Sequence, residues 1–207
     1  MWYEPPEIEQ IMEDELRRAG LSPPDDTPAV NVEGFIEDHL QATLDQYATL
    51  EPTVLGFTEF RAGSAPVVRI NRDLTGSAMD NEWCPPGVKG RWRATLAHEA
   101  SHIVLHRILP EGDPAQVRLF DQEEAASILF RCLKREVSYQ PGGRDWREVQ
   151  ANRGMAALLM PRTLFLRMAE QEIGGGVGGF DRATRQLAAR FGVSREAATI
   201  RLRTMGF

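Results

Sequence analysis

Three residues near the middle of the chain have types and spacing suited to chemistry: His98, Glu99 and His102, within His98-Glu99-Ala100-Ser101-His102. The run before them, Trp92 to Ala97, holds no Gly or Pro, so a continuous helix can carry the motif. Residues four apart on a helix share a face, with a rise of about 6 Å between them. Both imidazoles can then converge on one tetrahedral zinc ion, while Glu99 leans toward a water on that metal. Neutral imidazoles and a carboxylate base are what zinc needs to make hydroxide near neutral pH. A five-letter pattern with two free positions also arises by accident, so the remainder of the site has to come from elsewhere in the chain.

A catalytic zinc site takes three protein ligands and keeps a fourth position for water. His106 lies a further turn along the same helix, too far from a metal held between His98 and His102, and is expected to pack or to support a ligating imidazole. An HExxHxxGxxH extension is excluded, because Leu105 and Ile108 fill the positions where Gly and His are required. A carboxylate on a second helix is therefore the natural third ligand, with Glu123, Glu124, Glu136 and Glu148 as candidates. Glu148 stands out in Arg147-Glu148-Val149-Gln150-Ala151-Asn152, where Asn152 follows one helical turn later on the same face. A polar residue in that place can hydrogen-bond a ligating His and fix its tautomer. Glu123 or Glu124 remains a substitute, since Glu148 is distant in sequence from His102.

These residues need elements to position them. The periodicity predicts an acidic helix over 7–20 (Ile8, Ile11, Met12, Leu16), a turn cluster at 22–28 and a second helix from Asn31 through Tyr47. His39 within that helix reads as a surface or packing histidine. Strands are expected at Val54–Arg61 and Pro66–Asn71, joined by a hairpin over Ala62–Ala65. Loop-like sequence follows to Gly90, including Cys84 as a plain loop thiol. The motif helix should cover 91–109, with a third strand at 115–120 and a helix at 121–137. Another helix starts near Asp145 and runs to Met160, and one more covers 162–172. The glycine run at 173–179 lacks the Lys-Ser/Thr of a phosphate loop and reads as a hinge. Beyond it, two helices flank Phe191-Gly192-Val193-Ser194, spaced like a helix-turn-helix.

Composition narrows the class. With 207 residues the chain can bury a full core, and its make-up is that of a soluble globular protein. No apolar run approaches the roughly 20 residues that span a bilayer, and the acidic start lacks a secretory pattern, so no membrane role and a cytoplasmic location are expected. Two cysteines, Cys84 and Cys132, exclude a disulfide scaffold. Charge is uneven: residues 1–51 hold 13 acids against Arg17 and Arg18, or −11, whereas 181–207 hold six Arg against Asp181 and Glu196, or +4. A net charge of −6 does not describe a general nucleic-acid binder, although the basic tail could make a weak local DNA contact.

The run Thr95-Leu96-Ala97-His98-Glu99-Ala100-Ser101-His102-Ile103-Val104-Leu105-His106, followed by an E-x-x-A-N-x-x-x-A-x-L-L-M-P segment at 148–161, resembles the ImmA/IrrE family of metallo-endopeptidases. The likeness extends from the Val67–Asn71 strand to the tail. It implies an α+β fold: a small zincin-like catalytic domain with a short antiparallel sheet and an active-site helix, plus a C-terminal helical, helix-turn-helix-like subdomain. The corresponding division is 1–30 for an acidic helix and linker, 31–172 for the metallopeptidase domain, 173–180 for the hinge and 181–207 for the helical subdomain. The resemblance further implies Zn²⁺ on His98, His102 and Glu148, with Glu99 as base; Asn152 and His106 are expected in support from their helical spacing alone.

As substrate the resemblance implies a helix-turn-helix transcriptional repressor, whose cleavage releases stress or mobile-element genes. Three departures from the family pattern stand out. Ser101 replaces a usual Gly, Gly154-Met155 replaces Phe-Ala, and 121–146 reads as an insertion bringing Cys132, a buried helical thiol or a cap on the metal, and Tyr139. Tyr139, His106 and nearby Arg are candidates to stabilise the oxyanion. Two rival readings stay open. One is a DNA- or repressor-binding regulator with a structural or idle zinc site, which requires Arg195, Arg201 and Arg203 on one exposed face. The other is a metallo-toxin or a different zinc hydrolase acting on a non-peptide substrate.

Overall fold

The structure is a computed structural model and describes residues 2–61, 63–79, 84, 86–107, 127–133, 146–173 and 179–207. Among these residues the chain is α+β, with eight helices and one four-stranded sheet in the order β1-β3-β2-β4. Helix α1 (Pro5–Arg18) begins slightly before the expected span, with Pro at its start, and buries Ile8, Met12 and Leu16 as the periodicity predicts. The Glu4 amide donates to Glu7 at 2.6 Å and closes its first turn.

Helix α2 (Val32–Gly34) continues as a π-helical turn over Phe35–His39, and there the helical reading of 31–47 fails. Gln41 takes a left-handed φ of 54°, and its side chain donates to the Asp38 carbonyl at 2.6 Å. Leu44 and Tyr47 then fall in β1 (Thr43–Ala48), which pairs in parallel with β3. Strand pairing has overridden a local pattern that fits a helix equally well. His39 packs on Phe35 and meets Glu15 Oε2 at 2.6 Å, a packing histidine as expected.

Strands β2 (Val54–Arg61) and β3 (Val67–Asn71) form the expected antiparallel hairpin, with Gly56 opposite Ile70 and Glu59 opposite Val67. The stretch read as loop contains α3 (Arg72–Met79), entered where Asn71 Oδ1 accepts from the Asp73 amide at 2.9 Å. The helix expected at 121–137 is corrected too: Ser127–Leu133 is strand β4, antiparallel to β2 from Arg61↔Ser127 to Val54↔Leu133. Its aliphatic residues suit either period, and what decides is the outer edge of β2, whose backbone groups need partners. Cys132 thus lies on a strand rather than a helix. The expected strand at 115–120, Glu123, Glu124, Glu136, Tyr139, Asp145 and the glycines at 174–178 lie outside the described residues.

Helix α4 (Pro86–His106) carries the motif and begins before its expected start. From Ala94 to Ile103 every residue is buried. A helix enclosed on all sides is a core helix, which is why its sequence shows no clean apolar stripe. It lies against the sheet at Gly56, where an added Cβ would stand 3.0 Å from the Thr95 methyl and 2.9 Å from the Arg69 carbonyl. Helix α5 (Trp146–Leu159) packs along α4, and α1 covers α5. The tail forms α6 (Arg162–Ile173), α7 (Gly179–Phe191) and α8 (Arg195–Thr204). Phe165 stacks obliquely on Phe191 within the same apolar core. Among the described residues no helix is long and apolar enough to cross a membrane.

Candidate metal centre

Helices α4 and α5 meet with their polar residues facing each other. His98 and His102, four residues apart on α4, bring their Nε2 atoms to 3.1 Å. From α5, Glu148 places Oε2 3.1 Å from His98 Nε2 and Oε1 3.4 Å from His102 Nε2. Among the described residues these three form the group that could hold a metal ion, with ligand atoms within 4.8 Å of one another. The donor set fits zinc in kind and in size. Tetrahedral bonds of about 2.0–2.1 Å separate ligand atoms by roughly 3.3 Å. Two imidazole nitrogens with one carboxylate is also a familiar catalytic combination.

Close approach of the two helices depends on a pair of small residues. A Cβ on Gly154 would stand 2.8 Å from Ser101 Cβ and 2.7 Å from the Met12 methyl. Ser101 turns its hydroxyl back to the Ala97 carbonyl at 2.7 Å, so it adds bulk without an unsatisfied donor. The two departures noted in the sequence are therefore facing residues of one contact: Ser101 adds volume where α4 meets α5, and Gly154 gives it up.

Around the cluster, each imidazole is oriented from behind. His98 Nδ1 lies 3.2 Å from Asn152 Oδ1, so Asn152 sits one turn after Glu148 on the face that meets His98. His102 Nδ1 lies 3.1 Å from His106 Nδ1, and His106 Nε2 lies 3.3 Å from Gln150 Oε1. His98, Glu99, His102 and His106 are all fully buried. Glu99, on the same turn as His98, accepts from the Thr58 hydroxyl of β2 at 2.7 Å. Nothing in the sequence marks Thr58, a buried strand residue amid Phe57 and Glu59, and only the packing of α4 on β2 pairs it with Glu99.

Electrostatics follow from this burial. Desolvation holds the pKa of His102 down at about 4, and the same cause brings His106 to about 4, although Glu148 and Gln150 pull the other way. Burial also acts to lower His98, but its bonds to Glu148 and the nearby Glu99 charge outweigh it, and the pKa rises. Glu148 is desolvated as well, yet the two imidazoles beside it hold its carboxyl well below the usual range. A cation placed between these groups meets one carboxylate and two nitrogens, the electrostatics a Lewis-acid site requires.

The arginines of the tail separate. Arg195 and Arg203 are exposed, while Arg201 is buried and donates to both Glu9 carboxylate oxygens, at 2.5 and 2.7 Å, and to the Met160 carbonyl at 2.7 Å. The single exposed face that a phosphate-binding tail would need is not formed by these three residues.

Comparison with known proteins agrees with this architecture. A transcriptional regulator of Mycobacterium tuberculosis superposes with a TM-score of 0.53 at 20% identity, over 97% of this chain and 47% of the other. The chain thus spans about half the length of that protein, and at such identity the likeness is one of fold. No curated protein is similar enough in sequence to count as a relative. Residues 134–203, which contain Glu148 and Asn152 but not the histidine pair, match the IrrE N-terminal-like domain of the Peptidase_M78 family. Over those 70 of the 207 residues the chain is similar to this family.

Proposed function

We propose that the protein is a zinc-dependent endopeptidase whose substrate is a helix-turn-helix transcriptional repressor, cleaved to release stress or mobile-element genes. One observation carries the reading: two imidazoles and a carboxylate converge within 4.8 Å, with Glu99 on the same helical turn. His98, His102 and Glu148 would hold the ion. When bound, zinc supplies a Lewis acid for the scissile carbonyl and for the attacking water. Glu99 takes the proton of that water and returns it to the leaving amine. The Thr58 hydroxyl, 2.7 Å from its carboxylate, fixes the angle from which Glu99 does so. Asn152 and His106 keep the imidazoles turned toward the ion. The repressor as substrate rests on the family resemblance.

The test is purified protein with stoichiometric zinc, incubated with a helix-turn-helix repressor encoded beside it, and the fragments read by mass spectrometry. Cleavage by the wild type is expected, with a fall of at least about 100-fold in Glu99→Gln, as for loss of a general base. Glu99→Gln should still bind zinc, and cleavage at the wild-type rate by that variant would sink the mechanism.

A further inference from the structure

Behind His102 runs a chain of hydrogen bonds whose directions can be worked out link by link. With His102 Nε2 facing His98 Nε2 and Glu148, a cation there leaves the proton of the neutral ring on Nδ1. That proton points at His106 Nδ1, 3.1 Å away, which must then accept. His106 consequently carries its own proton on Nε2 and donates to Gln150 Oε1 at 3.3 Å. The Gln150 amide, with its oxygen so engaged, donates from Nε2 to the Tyr3 carbonyl at 3.2 Å. A Gln is suited to this place because it accepts on one side and donates on the other. The segment it reaches is also held by rings: Trp2 lies 6.3 Å from Trp146, and Trp146 stands edge-on to His106 at 5.7 Å.

We infer that Gln150 is a positioning residue of the metal centre, which ties the segment at residues 2–4 to the tautomer of His102 through His106. This rests on the zinc reading above and adds to it a residue at a free position of the second motif and a chain segment outside both motifs. Gln150 is 1% exposed, and its bonds run to α4 on one side and to the segment before α1 on the other. Nucleophile and base are untouched by it. Its effect should appear in how tightly His102 binds the ion.

The experiment compares full-length wild type, Gln150→Leu and Gln150→Glu. Zinc affinity is measured by competition with a fluorescent chelator, and ¹⁵N–¹H spectra of the zinc-loaded proteins report which imidazole nitrogens carry protons. Gln150→Leu keeps the volume and loses both bonds; one link further from the ligand than His106, it should lower zinc affinity by about 10-fold, the low end of the cost of losing a partner behind a ligand. The protonated-Nε2 signature of His106 should change with it. Gln150→Glu still accepts from His106 and should keep the affinity and the signature, while losing the donation to Tyr3. Wild-type affinity and an unchanged spectrum in Gln150→Leu would overturn the inference. So would an equal loss in both variants, which would mark a packing effect. Failure of the wild type itself to take up zinc would instead overturn the metal reading, a result neither variant can mimic.

Discussion

Among the described residues, the charged clusters around Arg201 and around His98 are buried on opposite terms. Around Arg201 the charges are complete in themselves. One guanidinium faces one carboxylate, Glu9, and its Nε and Nη2 also donate to the Met160 carbonyl. Around His98 the set is unbalanced: two carboxylates, Glu99 and Glu148, share a buried site with imidazoles of which two are held neutral. The first cluster joins acidic α1 to the basic tail and has no use for a ligand. The second is arranged for a positive charge, and the same carboxylates act to raise the pKa of His98. A pair that neutralises itself serves the fold, whereas one that leaves an excess serves a guest.

Removing one partner from each cluster separates these roles. Glu148→Ala should weaken zinc binding by more than about 100-fold, beyond the usual cost of losing a mere supporting residue, with only a modest fall in thermal stability. Glu9→Ala leaves Arg201 buried without its carboxylate and should cost about 3 kcal/mol in urea unfolding, with zinc affinity unchanged. If Glu9→Ala also lost zinc, the two clusters would be one coupled network.

A smaller effect is expected where the helices touch. Gly154→Ala should cost about 2 kcal/mol, because the added methyl meets Ser101 and Met12 below contact distance. Ser101→Gly in the same chain should recover part of it, and failure to recover any would show that the Ser101 side of the contact yields freely.

A separate effect is expected from pH on the zinc-free protein. In the unfolded chain His102 and His106 titrate near 6.5, but in the fold near about 4. Between those values the unfolded state binds the extra protons, so stability falls as the pH drops from 6.5 toward 4. His98, raised above 6.5, contributes in the opposite sense and returns part of the loss at low pH. The urea midpoint should therefore be lower at pH 5 than at pH 7, and an equal or higher midpoint at pH 5 would contradict the burial of two neutral imidazoles.

Much of the site was legible before the fold because its signals are local. His98 and His102 sit one turn apart, so any helix brings them together, and Asn152 stands in the same relation to Glu148. In the structure Asn152 Oδ1 lies 3.2 Å from His98 Nδ1. Less of the fold could be read. Residues 43–48 and 127–133 have patterns open to helix or strand, and each became a strand because an adjacent backbone edge needed pairing.

By itself, then, the sequence determined the chemistry on offer: two histidines at helical spacing, a carboxylate between them, and a second helix bearing Glu and Asn. Tertiary structure decided which groups were added from a distance. Thr58 reaches Glu99 across 41 positions, Gln150 reaches Tyr3 across 147 and Arg201 reaches Glu9 across 192. No periodicity encodes such contacts. They arise because Glu99, Gln150 and Arg201 are buried, and the polar atoms of each meet whatever element the core has placed beside them.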